Sequence, residues 1–192
     1  MLGAAIDTIL ERGYYRASSN EIARRAGVTW GVIQHHFKSR ERLMLATLED
    51  EMLAYESLIE RAEITGETLA ERLASVGTIV CDHYAHERYL ADLQIIVNLM
   101  HDPDTERATI EAMEAAQERI SSGLTRLLDA AAAPIELTAD DRRVIFAGLR
   151  GVALHEILWR TYYPRVPVEP GQLERTMRSM AESLALHLTA GA

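Results

Sequence analysis

Cysteine is almost missing from this chain. Cys81 is the only one in 192 residues, so no intramolecular disulfide can form, and that usage suits a reducing cytoplasm. Lysine is as scarce: Lys38 is the single lysine among the twenty Lys and Arg residues, a bias we read as compositional. Long apolar runs are lacking, which excludes a membrane-spanning helix of about 20 residues. The N-terminus lacks the basic-then-apolar layout of a secretion signal, and the expected location is the cytoplasm. Sustained alternating apolar runs and Asn-Gly or Asp-Gly hairpin turns are absent, so strands are not expected. No Gly-rich phosphate loop, Gly-x-Ser-x-Gly, His-Glu-x-x-His or Glu-x-x-His motif occurs. The chain therefore reads as a non-enzyme with neither metal nor cofactor. Excess positive charge is also lacking overall, with a net charge of −9.

What is present is helical spacing. Hydrophobic content is 48%, enough for a real core. Leu2, Ile6, Ile9 and Leu10 form a first stripe that ends at Gly13. Helices are predicted over about 19–26, 30–36, 40–61, 67–84, 88–101, 104–131, 139–162 and 171–188. Pro103, Pro134 and the Pro164, Pro167, Pro170 run punctuate them. Ser39 and Thr138 read as helix caps, the latter with Asp141 three residues on. The tail Thr189–Ala192 is expected to fray. The fold class is all-α.

The most informative stretch runs from Ser18 to Phe37. Ser18 with Glu21 reads as a capping box. Gly27 suits a left-handed helix stop, and Thr29 can cap a second short helix. Ile22, Ala23, Ala26, Val28, Ile33 and Phe37 can share an inner face, with His36 also turned inward. Trp30, Gly31, Gln34, His35 and Lys38 are left outside, which is the layout of a helix-turn-helix. Gln34 offers a donor and an acceptor, the pair that matches adenine N6 and N7. Trp30 either touches a thymine methyl or sugar or packs on the preceding helix. Thr29 and Gly31 let the helix N-terminus approach a phosphate. His35 and Lys38 are phosphate candidates. Ser18 and Ser19 can add another contact, although capping alone explains Ser18. Charge agrees: residues 1–48 hold seven basic and four acidic residues, a net +3, and the remainder carries −12. Only the head can approach a polyanion.

The first 45 or so residues resemble the DNA-binding domain of the TetR family of transcriptional regulators. The matching words are Glu11-Arg12-Gly13-Tyr14, Glu21-Ile22-Ala23-Arg24-Arg25-Ala26-Gly27-Val28 and His35-His36-Phe37-Lys38-Ser39-Arg40-Glu41. The chain departs from the family's usual tyrosine at Gln34 and from its usual basic or small residue at Trp30. Many members carry a basic arm ahead of the first helix, where this chain has only Met1 before Leu2, so an arm-derived contact is either missing or lies outside the numbered residues. The resemblance implies an N-terminal three-helix helix-turn-helix DNA-binding domain, residues 1–48, and a C-terminal helical ligand-binding and dimerisation domain, residues 49–192. It also implies a homodimer, most simply a repressor, with a double-stranded DNA operator and a small-molecule effector as partners.

Within the acidic body, Tyr84, Met100, Met113, Gln117, His155, Trp159 and Tyr163 are the expected effector-binding residues, a mostly apolar set with a few orienting groups. Leu173, Met177, Met180 and Leu184 step by four and three along one face, and Ala147, Gly148 and Gly151 allow close helix approach. Together they are the expected dimer seam. The rival readings are a helical protein-interaction module and a helical enzyme with an incidental head.

Overall fold

The computed structural model describes residues 1–190. Among them every regular element is a helix. In order they are α1 (Leu2–Arg12), a 3-10 turn (Tyr14–Arg16), α2 (Ser19–Arg25), α3 (Trp30–Phe37), α4 (Arg40–Arg61), α5 (Leu69–Tyr84), α6 (Arg88–His101), α7 (Arg107–Ala132), α8 (Ala139–Tyr162) and α9 (Gln172–Ala190). Thr189 and Ala190 of the expected frayed tail belong to α9, and Gly191 and Ala192 lie outside the described residues. Asp141 closes the expected box on Thr138, with its backbone N–H donating to the Thr138 hydroxyl and its carboxylate accepting from the Thr138 N–H. Thr68 and Glu71 build a second box, at the start of α5. The Ser39 hydroxyl accepts from the Arg42 N–H at 3.1 Å and so opens α4.

The chain divides into two compact units, one of residues 1–57 and 87–120 and the other of residues 58–86 and 121–192. The boundary does not follow residue 48. The three head helices share their unit with most of α4, with α6 and with the first half of α7. Ile6, Ile9, Ile22, Ile33, Leu43, Met44, Leu48 and Ile95 fill this unit's interior, each at most 2% exposed. Each such side chain contributes about 1.5–3 kcal/mol when taken fully from water.

Polar bonds tie these distant segments together. The Glu41 carboxylate accepts from the Glu106 N–H at 3.1 Å and from the Thr109 hydroxyl at 2.5 Å. It thus occupies the first turn of α7, where backbone N–H groups have no helical partner. Arg88 on α6 grips the Glu51 carboxylate of α4 through Nε and Nη2, the shorter bond 2.5 Å.

In the second unit α5 packs on α8 and α9, beside the end of α4 and the second half of α7. Leu73, Val76, Ile145, Leu149, Met177 and Leu184 are buried there. Gly77 lets α9 come close: a Cβ at that position would lie 2.5 Å from Met177 Sδ. Gly148 plays the same part under Met180 and Leu184.

Candidate nucleic-acid interface

The recognition segment is built from local chemistry. The Ser18 hydroxyl accepts from the Glu21 N–H at 3.3 Å and caps α2. The expected box is only half made, because the Glu21 carboxylate turns to Arg24 (2.5 Å) and Arg12 (3.2 Å). These guanidinium groups hold its pKa below the usual carboxylate value, with the Arg24 hydrogen bond the largest cause. At the other end of α2 the Val28 N–H donates to the Ala23 carbonyl at 3.0 Å and the Gly27 N–H to the Arg24 carbonyl at 3.3 Å. That pair of bonds is a Schellman stop. It needs a left-handed residue, and Gly27 has φ 67°.

Helix α3 follows after Val28 and Thr29. Thr29 does not cap it: its side chain accepts no first-turn N–H, contrary to the reading of its residue type. The start of α3 is therefore open to solvent at Thr29, Trp30 and Gly31, all exposed. Ile33 anchors the helix from beneath at 2% exposure. Gln34, His35 and Lys38 are exposed as expected, and Trp30 is 52% exposed, which excludes full packing on α2. His36 departs from its expected inward position and is exposed, while Phe37 is half-buried. The Gln34 amide donates to the Lys38 carbonyl at 2.7 Å. That bond supports the helix end, where Lys38 takes φ 66°. Ser18 is exposed and Ser19 half-buried at the start of α2. All eight expected DNA-contact residues thus lie on α2, α3 or their immediate flanks.

Charge on this face is sparser than the count suggests. Arg25 pairs with Glu11 and lies 3.8 Å from Asp7, and the Arg25 hydrogen bond lowers the Glu11 pKa. Arg42 lies 3.2 Å from Glu106. Arg40 is spent on the fold: its Nη2 donates to the Tyr14 carbonyl at 2.5 Å, its Nε donates to the Ala17 carbonyl at 3.1 Å, and its guanidinium sits 4.1 Å from the Tyr14 ring centre. Lys38 and Arg16 are the exposed cations of the head with no carboxylate within 4.0 Å among the described residues. Sequence reasoning passed over Tyr15, which is 86% exposed beside the buried Tyr14. An aromatic pair at a turn carries no signal telling which ring turns outward.

The expected effector residues are not brought together as one set. Met100, Met113 and Gln117 belong to the first unit, with Met113 buried and the other two exposed. Tyr84, His155, Trp159 and Tyr163 belong to the second. Tyr84 is buried, edge-on to Phe146, with the Arg150 guanidinium 4.7 Å from its ring centre. His155, Trp159 and Tyr163 form a row of tilted rings along α8 and its C-cap, at centroid spacings of 5.9 and 4.5 Å. A groove of 1120 Å³ in the second unit runs between α5 and α9 and contains none of the seven. Ser75, Asp82, Glu174 and Arg178 line it, together with Cys81. Burial, assisted by the Asp82 and Glu174 carboxylates, pushes the Cys81 thiol up to about 12. It stays a neutral thiol near pH 7.

The expected dimer residues divide too. Met177 and Leu184 are buried within their own chain, against the glycines of α5 and α8, and this removes them from a partner-facing surface. Gly148 and Met180 are half-buried in the same layer, as is Leu173 in the groove wall. Ala147 and Gly151 are exposed.

A capped support helix, a glycine stop and an eight-residue helix with one buried anchor and an open polar face define a helix-turn-helix head, the element that enters a DNA major groove. Residues 1–47 match the family model described as bacterial regulatory proteins, tetR family. Over 165 residues the chain is 31% identical to the HTH-type transcriptional regulator BetI of Cronobacter sakazakii, covering 83% of this chain and 75% of that one. It is 44% identical over 50 residues to BetI of Klebsiella pneumoniae, a match that spans only about a quarter (26%) of that protein's length. Two solved structures share the fold. FadR of Bacillus subtilis in complex with stearoyl-CoA has a TM-score of 0.62 at 19% identity, covering 100% of this chain and 97% of that one. The fatty acid degradation regulator FadR of Bacillus halodurans has a TM-score of 0.67 at 19% identity, covering 96% and 92%. The chain belongs to the TetR family of transcriptional regulators.

Proposed function

We propose that this chain is a sequence-specific DNA-binding regulator that works as a homodimer in the cytoplasm, without catalysis, and most simply as a ligand-responsive repressor. The observation that carries the reading is the exposed face of α3, where Trp30, Gly31, Gln34 and Lys38 stand above the buried Ile33. Residues 1–48 supply the reading head, and residues 49–192 supply effector binding and pairing. In a dimer, two such helices meet successive major grooves about 34 Å apart. Effector response is supported by the stearoyl-CoA held by Bacillus subtilis FadR. Within the expected effector set, the neighbouring rings of His155, Trp159 and Tyr163 offer the aromatic lining that such sites use. Pairing is supported by α8, whose exposed Val144, Ala147, Gly151, Leu158 and Tyr162 recur at three-, four- and seven-residue steps along one face. A ligand that switches such a dimer from 99:1 to 1:99 must favour the non-binding shape by about 5.5 kcal/mol.

The test is selection of duplexes from a random pool by the wild-type chain, followed by mobility shifts over a salt series. Affinity falls steeply as salt rises, because phosphate contacts release counterions. Absent or salt-insensitive binding refutes the reading. Lys38→Ala weakens every duplex alike and lowers the salt slope by about 1 per head. Gln34→Ala instead costs about 1–3 kcal/mol at particular base pairs only. To read a base, the Gln34 amide must first leave the Lys38 carbonyl. Equal loss on all sequences removes Gln34 from base readout.

A further inference from the structure

We propose that Gln94, on α6, is a positioning residue for DNA recognition: it sets the turn from which both helices of the reading motif hang. The inference rests on the DNA-binding reading above and adds a residue far from the recognition face. Tyr14 opens the 3-10 turn, so its N–H has no partner within that turn. The Gln94 side-chain oxygen accepts that N–H at 3.0 Å, across 80 residues of sequence. The other half of the Gln94 amide donates to the Leu90 carbonyl of its own helix at 3.2 Å, which fixes the oxygen toward the turn. Gly13, at φ 80°, brings the chain under this amide: a Cβ there would stand 3.8 Å from the Gln94 oxygen.

The carbonyl side of the same residue is held from the opposite direction. Arg40, two residues beyond Lys38, donates to the Tyr14 and Ala17 carbonyls and stacks on the Tyr14 ring. Tyr14 is 8% exposed and Ala17 is fully buried. One buried residue is therefore held at its N–H by α6 and at its C=O by α4. Ser18 and Ser19, at the start of α2, follow within five residues of it. The end of α3 at Lys38 is joined to it through Arg40. Losing the Gln94 bond leaves an amide donor unpaired in a covered site and frees the turn to move relative to Lys38 and α3. Base readout tolerates such displacement poorly, whereas attraction to phosphates depends little on it.

The experiment compares wild type, Gln94→Leu and Gln94→Glu on the duplex enriched by the wild-type chain and on an unselected duplex of equal length. For Gln94→Leu the expected result is a loss of about tenfold or more on the enriched duplex, with about threefold or less on the unselected one. Amide exchange at Tyr14 speeds up in the same variant. Gln94→Glu keeps the acceptor for the Tyr14 N–H but loses the donor to the Leu90 carbonyl, so its loss on the enriched duplex falls between wild type and Gln94→Leu, with about threefold or less on the unselected one. Gln94→Leu binding like wild type, equal loss on the two duplexes, or Gln94→Glu failing as badly as Gln94→Leu overturns the assignment. If the leucine variant does not fold, Gln94→Ala takes its place under the same criteria. Failure of the wild-type chain to enrich any duplex instead removes the DNA-binding reading itself.

Discussion

Arg40→Met destabilises the protein by about 2–4 kcal/mol, read as a shift in the urea unfolding midpoint at constant slope. Methionine keeps the length and apolar stem of the side chain but no donor. Two carbonyls, of Tyr14 and Ala17, lose bonds of 2.5 and 3.1 Å from an ionised group. Bonds to charged donors contribute about 1.5–3 kcal/mol each, and a buried acceptor left alone costs about 1–3 kcal/mol. The stacking on Tyr14 at 4.1 Å is lost as well, which adds about 0.5–2 kcal/mol. These contributions overlap, so the sum is an upper bound. Arg42→Met is the matched control. Its partner Glu106 and Arg42 itself are both more than half exposed, and such surface pairs contribute about 0–1 kcal/mol. Equal midpoints for the two variants mean that solvent replaces the Arg40 bonds and that the clamp is dispensable.

Asp92→Asn changes how stability depends on pH. Asp92 lies on α6 at 2% exposure, and its Oδ1 has no hydrogen-bond partner among the described residues. Burial is the main cause that raises its pKa from 3.8 to about 7; the Glu51 carboxylate raises it further and Arg88 opposes. The groups facing this corner are Glu51 on α4, Arg88 on α6 and, acting on Arg88, Asp7 on α1. The folded state favours the neutral carboxyl. Its contribution to stability is complete below about pH 4, falls as pH rises, and is gone above about pH 7. Each pKa unit corresponds to about 1.4 kcal/mol. Between pH 5 and pH 8 wild type therefore loses about 2–3 kcal/mol relative to Asp92→Asn, which carries no titrating group there. Urea denaturation at the two pH values measures the difference. Parallel pH curves for the two proteins show that Asp92 titrates normally.

Much of the first 45 residues could be read from the sequence because its signals are local. Gly27 marks a stop because only a residue at ease at positive φ closes the Schellman pair. Ser18 marks a start because its hydroxyl reaches the third N–H. Thr29 shows the limit of that logic, since the residue type permits a cap that the side chain does not make. The α9 stripe shows another limit. Periodicity gives the buried face of a helix but not the surface that buries it, so Met177 and Leu184 read as a seam although α5 and α8 of the same chain already cover them. Bonds between distant residues leave no trace in local pattern. Gln94 to Tyr14, Glu41 to Thr109 and Arg88 to Glu51 join residues 80, 68 and 37 positions apart. These bonds place α6 and the start of α7 in one compact unit with the head.

The lone lysine has a practical corollary. Lys38 is exposed at the end of α3, so amine-directed reagents find a single side-chain target, and it stands on the face proposed above to enter the groove. Coupling the protein to an activated ester resin would therefore block its own reading helix. A dye placed there in dilute stoichiometry would instead report operator occupancy without any engineered attachment point.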